Sequence, residues 1–306
     1  MTRSLLIAGP TASGKTALAL QAAERFDGEI INADSMQIYE GLHLITARPD
    51  ASETAQAPHH LFGRVDPAMR WSVGEWAEEA LALVSDIRSR GKTPILVGGT
   101  GLYFMALTKG LAPVPEIDVA SRQRVEDLIE TEGLDGLRRE AERFDPVSAQ
   151  RIKAADSQRL QRVVEVGYAT GEALSDFHKD TKPALQTNEW TGVVLNPDRA
   201  ELYARIEARF DRMLEEGALQ EVAAFAEREL DPLLPAMKAL GVPPLMAHLR
   251  GDMDLDEAIA LSKRDSRRYA KRQLTWFRNQ HSDWSRIDSL DSQTAWSQLE
   301  QILSDV

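Results

Sequence analysis

Residues Gly9 to Thr16 read GPTASGKT, two glycines followed by a Lys-Thr pair, which is the spacing of a loop that grips phosphate. The glycines let backbone N–H groups approach phosphate oxygens, Lys15 adds a point charge, and the Thr16 hydroxyl can ligate Mg²⁺. Gly9, Pro10, Thr11, Ala12, Ser13, Gly14, Lys15 and Thr16 are therefore the expected phosphate-binding residues; the competing reading is a glycine-rich turn with no ligand. An NTPase built on this loop needs a second carboxylate at the end of a hydrophobic strand to organise its metal. The best such strand here, PILVGGTG, ends in Gly98, Gly99 and Thr100, and no Asn-Lys-x-Asp base-reading motif is present. The loop is suited to phosphates that are not being hydrolysed.

Asp34, in NADSMQIY, follows an apolar run and is expected at the ligand-binding edge of a sheet, where a carboxylate could accept a proton from a nucleophile. A turn or helix-cap role weighs equally on those residues alone. Thr100 could donate to an oxyanion, although threonines at strand ends are common. Arg205, Arg209 and Arg212 recur at i, i+4 and i+7 and form a cationic stripe suited to polyphosphate or an RNA backbone; a solvated face pairing with Glu201, Glu207 or Glu216 competes. Arg159 and Arg162 sit one turn apart in DSQRLQRVVEV. In SKRDSRRYAKRQLTWFRNQ, Arg264, Arg268 and Lys271 share a helix face with Tyr269, Trp276 and Phe277 interleaved, the strongest nucleic-acid signal in the chain. His59 and His60 read as polar loop residues near the cleft, since no His/His or His/Glu array supports a metal site.

The elements that must position these groups follow from hydrophobic spacing. RSLLIA (3–8), GEIINADS (28–35) and TPILVGGTG (93–101) predict strands, and Lys15 to Phe26 predicts a helix. Ser72 predicts the cap of a further helix with Trp76, Ala80, Leu83 and Ile87 facing inward. The βαβαβ order favours a parallel sheet with ligands outside the carboxyl ends of its strands. GLAPVPEID (110–118) punctuates the chain before a long charged helical region reaching about Gly171, and EWTGVVLNPD (189–198) returns to a strand pattern. The expected fold is α/β, a P-loop NTPase-like parallel sheet flanked by helices with an inserted helical subdomain. Residues 1–112 form the first part of the core, 113–188 the insertion, and 189–306 complete the core with basic C-terminal helices.

A chain of 306 residues, 43% apolar, supports a sizeable core. No apolar run approaches a membrane span and no leader precedes the first strand, so a soluble cytoplasmic protein is expected; the absence of cysteine suits a reducing compartment. The net charge of −12 argues against indiscriminate attraction to polyanions, yet residues 263–286 carry eight basic against two acidic side chains, a local +6.

Taken in order, GPTASGKT (9–16), DSMQIY (34–39), TARP (46–49), PHHL (58–61), LVGGTGLY (96–103), DSQRLQRVVEV (156–166) and AKRQLTWFRN (270–279) resemble the bacterial tRNA dimethylallyltransferase, or tRNA isopentenyltransferase, family along almost the whole chain. The resemblance implies transfer of a dimethylallyl group from dimethylallyl diphosphate to N6 of the adenosine 3′ of the anticodon, with Mg²⁺ as cofactor. It implies that Asp34 takes the proton from the amino group, that Thr100 and Arg205 hold the departing diphosphate with Lys15, and that Thr16 meets the metal. The RNA contacts it implies are Asp34, Ser35, Met36 and Gln37, then Thr100, Arg122, Gln158, Arg159, Leu160, Gln161 and Arg162, with Lys238 and Gly241. The expected partners are a tRNA anticodon stem-loop and the allylic diphosphate, with no membrane and a monomeric chain. Two departures from the family pattern stand out: Ile45 precedes TARP where a glycine is usual, and Val242-Pro243-Pro244 follows KALG where many members carry an aromatic residue. An adenylate isopentenyltransferase, a P-loop small-molecule kinase and a nucleotide-controlled RNA-binding protein are the alternatives; the insertion and the basic C-terminal segment favour the tRNA acceptor over the free nucleotide.

Overall fold

The computed structural model describes residues 3–153 and 155–305. From the N-terminus run β1 (Ser4–Ala8), α1 (Lys15–Phe26), β2 (Gly28–Asn32), the short α2 (Ala51–Thr54), β3 (His59–His60), α3 (Val73–Ser89), β4 (Thr93–Gly98) and α4 (Gly101–Thr108). After an insertion come β5 (Trp190–Leu195) and, further on, β6 (Ser285–Ile287). The six strands are all parallel in the order β3-β2-β4-β1-β5-β6. β1, β2 and β4 are buried along their whole length, as strands covered by helices on both faces must be. The two outer strands were not expected: β3 has two residues and β6 three, too short for a periodic signal, and each forms only because a neighbour offers free backbone groups.

Crossovers bury their apolar stripes on this sheet. Ser72 caps α3 in a reciprocal capping box with Glu75, and Trp76, Ala80 and Ile87 are fully buried. Val84, rather than the expected Leu83, completes that face. Trp76 donates its indole N–H to the Asn32 carbonyl (2.8 Å) at the end of β2 and stacks on Tyr103 of α4, ring centroids 4.0 Å apart.

The chain divides into two compact units, Met1–Thr108 with Leu185–Val306, and Lys109–Ala184. The second holds α5 (Val119–Phe144), α6 (Pro146–Arg151), α7 (Ser157–Thr170) and α8 (Leu174–Phe177) around Val125, Leu137, Ala141, Ala149, Leu160, Val163 and Val164. Gly133 leaves helical geometry within α5, and Gly171 ends α7 in the left-handed conformation (φ 74°). The first unit is completed by α9 (Arg199–Glu215), α10 (Ala218–Ala226), α11 (Val242–Leu249), α12 (Leu255–Gln280) and α13 (Ser292–Ser304). The unusual VPP sequence suits the first turn of α11, where a proline lacks nothing because those N–H groups have no helical partner. Among the described residues, no helix is long and apolar enough to cross a membrane.

Candidate functional site

Strand register sets the site. Ala8 lies opposite Gly98, and Asn32 opposite Val97, so the segments leaving β1, β2 and β4 depart side by side. Gly9, Asp34 and Thr100 thus emerge together where β1 separates chain leaving to either side, the switch point at which open α/β sheets bind ligands.

The Gly9–Thr16 loop is held in an anion-ready form. A Cβ on Gly9 would come within 3.0 Å of Leu195 Cβ, so the loop packs against β5 only because this residue is glycine. Ser13, almost fully buried, donates its hydroxyl to the Pro10 carbonyl (2.8 Å), and Lys15 Nζ donates to the same oxygen (2.6 Å). Gly14 is the N-cap of α1 and offers no side chain, leaving the first helix amides free for a ligand. Burial pulls Lys15 down to about 8, with Asp34 opposing that shift and Arg209 adding to it. Arg209 Nη2 donates to Thr11 Oγ1 (2.6 Å), and burial lowers its pKa as well, against the pull of Asp34. Among the described residues no ion pair joins Lys15 or Arg209 to Asp34. These cations carry a desolvation cost that a bound polyanion would relieve.

Asp34 is fixed from several directions. Its N–H donates to Asn32 Oδ1 (2.8 Å), its carbonyl accepts from Asn32 Nδ2 (3.0 Å), and its Oδ1 accepts the Met36 N–H (2.9 Å). That is the one hydrogen bond its carboxylate accepts among the described residues, which leaves Oδ2 for a ligand. Thr100 Oγ1 accepts the Ser35 N–H (2.9 Å) and donates to Ser35 Oγ (3.2 Å), so the Asp34 and Thr100 turns are laced together. Gln37 donates to the carbonyls of Thr46 (2.9 Å) and Ala47 (2.8 Å), so its side chain is a loop brace. The unusual Ile45 is accommodated here: it is buried, its N–H is accepted by Glu221 of α10 (3.1 Å), and the same carboxylate takes the amides of His43 and Leu44.

Two cavities share Asp34. The first, 360 Å³, is lined by the phosphate loop, Asp34, Gln37, His59 and Arg205, Arg209 and Arg212. The second, 250 Å³, is walled by Ile45, Ile206, Phe210, Met213, Leu240 and Tyr269 and rimmed by Lys238 and Arg272. Thr11, Asp34, Thr46 and Arg209 line both. The first suits a polyanion. The second offers an apolar and aromatic wall under positive charge, as a nucleobase with flanking phosphates requires.

Of the expected cavity residues, Arg205 is exposed and donates to the Leu290 carbonyl (3.0 Å), while Arg209, one turn on, reaches the phosphate loop. The i, i+4, i+7 stripe signals both; only packing orders them by depth. Thr16 lines the first cavity. No cluster of three or more His, Cys, Asp or Glu able to hold a metal occurs among the described residues. Lys238 borders the second cavity, whereas Gly241 is buried: a Cβ there would stand 2.9 Å from Ile45 Cδ1, so its role is steric. In the helical unit Arg122, Gln158, Arg159 and Arg162 are exposed and Gln161 is half-buried. Leu160 corrects an expectation: its side chain is fully buried in that unit's core and cannot meet RNA. His60 also departs from the loop reading, since it lies in β3 with Nε2 bound to Glu29 (2.9 Å).

The largest correction concerns α12. Arg264, Arg268 and Lys271 are exposed as expected, but the interleaved aromatics turn inward. Phe277 is fully buried edge-on to Phe104, and Trp276 lies where a Cβ on Gly101 would be 2.1 Å from its ring. Trp276 and Phe277 are core packing, whereas Tyr269 walls the second cavity. Gln273 belongs to this inward face as well, and neither its type nor its spacing singles it out in the sequence.

Comparison with known proteins identifies the family. Residues 37–280 match the family model described as IPP transferase. The chain is 67% identical over 303 residues to a tRNA dimethylallyltransferase of Maricaulis maris, covering 99% of this chain and 98% of the relative. It is 53% identical over 289 residues to one of Caulobacter sp. strain K31, covering 94% of each. The crystal structure of a full-length tRNA isopentenylpyrophosphate transferase from Bacillus halodurans superimposes with a TM-score of 0.71 at 32% identity, covering 100% of this chain and 98% of that one. A eukaryotic dimethylallyltransferase acting on tRNA superimposes with a TM-score of 0.86 at 28% identity, covering 100% and 80%.

Proposed function

The chain belongs to the IPP transferase family, and we propose that it moves a dimethylallyl group from dimethylallyl diphosphate to N6 of the adenosine 3′ of the anticodon in tRNA, releasing diphosphate. The observation that carries this reading is the sharing of Asp34 by a cationic, phosphate-loop cavity and an apolar one. A diphosphate in the first and a base in the second would bring the allylic carbon and the amino group together beside that carboxylate.

The residues then divide the work. The free amides of the loop and α1, with Lys15, Arg209 and Arg205, take up the charge that develops on the diphosphate as the allylic C–O bond breaks, and the Thr100 hydroxyl supports the same oxygens. Asp34 Oδ2 accepts the N6 proton as the C–N bond forms, since an exocyclic amine is a weak nucleophile until deprotonated. The Thr16 hydroxyl and the substrate's own phosphate oxygens are hard donors of the kind Mg²⁺ prefers. When bound, Mg²⁺ supplies charge neutralisation to the diphosphate. Arg122, Gln158, Arg159, Gln161, Arg162 and Lys238, with the outer face of α12, are the proposed tRNA contacts. We propose a monomeric enzyme acting where tRNA is found, in the cytoplasm.

The test is incubation of the protein and Mg²⁺ with labelled dimethylallyl diphosphate and either unmodified tRNA or AMP, without ATP. Label in tRNA alone is expected. Label in AMP points to a free-nucleotide prenyltransferase, and a strict ATP requirement overturns the reading.

A further inference from the structure

We infer that Gln273 is a positioning residue for the transfer, a single amide that locks the phosphate loop to the Thr100 turn. It lies on α12, 5% exposed, and its two ends serve different strands. Oε1 accepts the Thr11 N–H (2.9 Å) from the loop after β1, while Nε2 donates to the Gly99 carbonyl (2.9 Å) at the end of β4. The backbone fixes the amide's orientation, because an N–H can only donate and a carbonyl can only accept.

Its surroundings are built for this one group. A Cβ on Gly99 would lie 2.1 Å from Gln273 Nε2, so glycine at 99 is the condition for the amide's approach. Tyr269, one turn earlier on the same face, stands beside both Thr100 and Gln273. Thr11 is held from its other side by Arg209. Because the Thr11 amide is already occupied, the N–H groups left to a diphosphate are those nearer Gly14 and the start of α1.

Only an amide of this length satisfies both partners. A carboxylate would set a negative oxygen against the Gly99 carbonyl, methionine would leave a buried N–H and a buried C=O unpaired, and asparagine falls short by one methylene. A neutral carboxylic acid, by contrast, has one acceptor and one donor oxygen and copies the amide. The charged groups bordering this spot are Arg209 from α9 and Asp34 after β2, with Lys15 and Arg272 further along the two cavities. Tyr269 stays neutral because burial pushes its hydroxyl up.

This assignment rests on the reading of the loop and Thr100 as the leaving-group holder. Its test compares wild type, Gln273→Glu, Gln273→Met and Thr100→Ala in tRNA prenylation from pH 5.5 to 8.5, with tRNA affinity measured by filter binding. At neutral pH both Gln273 variants are expected to lose on the order of 100-fold in kcat while tRNA affinity stays within about twofold. As pH falls, the ratio of wild-type to Gln273→Glu turnover narrows by at least about fivefold as the carboxyl protonates, and the ratio for Gln273→Met stays flat. A pH-independent ratio for Gln273→Glu, wild-type turnover in both variants, or a loss of tRNA affinity matching the loss of turnover overturns the assignment. Wild-type turnover in Thr100→Ala overturns the underlying reading of the site; impaired Thr100→Ala beside unimpaired Gln273 variants overturns the Gln273 assignment alone.

Discussion

β2 begins at one charge cluster and runs toward another. At its start Glu29, 3% exposed, is held by Arg90 through both guanidinium nitrogens, by His60 Nε2 (2.9 Å) and by Lys92 Nζ (3.7 Å). Those hydrogen bonds, Arg90 foremost, hold its carboxyl down at about 2. Two residues past the other end stands Asp34, and around it Lys15 and Arg209 are pulled down by burial with no ion pair to Asp34. The first cluster is charge satisfied by its own chain, which stabilises the strand. The second is charge left unsatisfied, which costs stability until a ligand supplies the missing partner. A strongly shifted group is therefore not by itself a site; what separates the two ends is whether the partner is already present.

Four experiments bear on that contrast. Asp34→Asn is expected to lower kcat by about 10² to 10⁴, the usual range for a positioned base, with tRNA affinity kept within about threefold. An equal loss of binding measured by filter retention would make Asp34 a binding group and not a base.

Lys15 gives a pH signature. Its cationic form attracts the diphosphate, so affinity should weaken as pH rises through about 8, by up to roughly tenfold per unit. Calorimetric titration with inorganic diphosphate checks this, and Lys15→Arg, which stays charged over that range, should give a flat profile.

At the satisfied end, Arg90→Met removes the principal partner of Glu29 while leaving the cavities untouched. Thermal unfolding should show Tm lowered by roughly 5 °C, with kcat of the folded protein unchanged. Because the Glu29 carboxyl is depressed in the fold, its contribution is complete above its unfolded value near 4.5 and is lost as pH falls toward 2. The Tm gap between variant and wild type should close over that same window; a gap independent of pH would mean the loss is packing.

The smallest effect belongs to the outer face of α12. Combining Arg264→Ala, Arg268→Ala and Lys271→Ala should weaken tRNA binding severalfold and make the slope of log affinity against log salt shallower by about 0.7 for each phosphate no longer neutralised. An unchanged slope would remove this face from the tRNA interface.

Sequence alone made the phosphate loop, the capped helix at Ser72 and the buried strands legible, because each rests on short-range chemistry: glycine spacing, a capping hydroxyl, an unbroken apolar run. The order of motifs made the family legible as well. Spacing could not tell Arg205 from Arg209, since a helical stripe states which side chains share a face and not how deep each lies. It misassigned Trp276 and Phe277 for the same reason: a helix carrying basic and apolar residues presents both patterns in one stretch, and only the neighbour decides which face is buried. The GGTG turn shows the limit most clearly. As sequence it is a missing carboxylate; in the fold its glycines are clearance, Gly98 for the Ala33 backbone, Gly99 for Gln273 and Gly101 for Trp276. Residue type and local spacing determined what chemistry this chain could do. Which cations stay unpaired, and which amide, 262 residues along the chain from Thr11, closes on the phosphate loop, was decided only by tertiary packing, because burial and long-range hydrogen bonds depend on where distant segments meet.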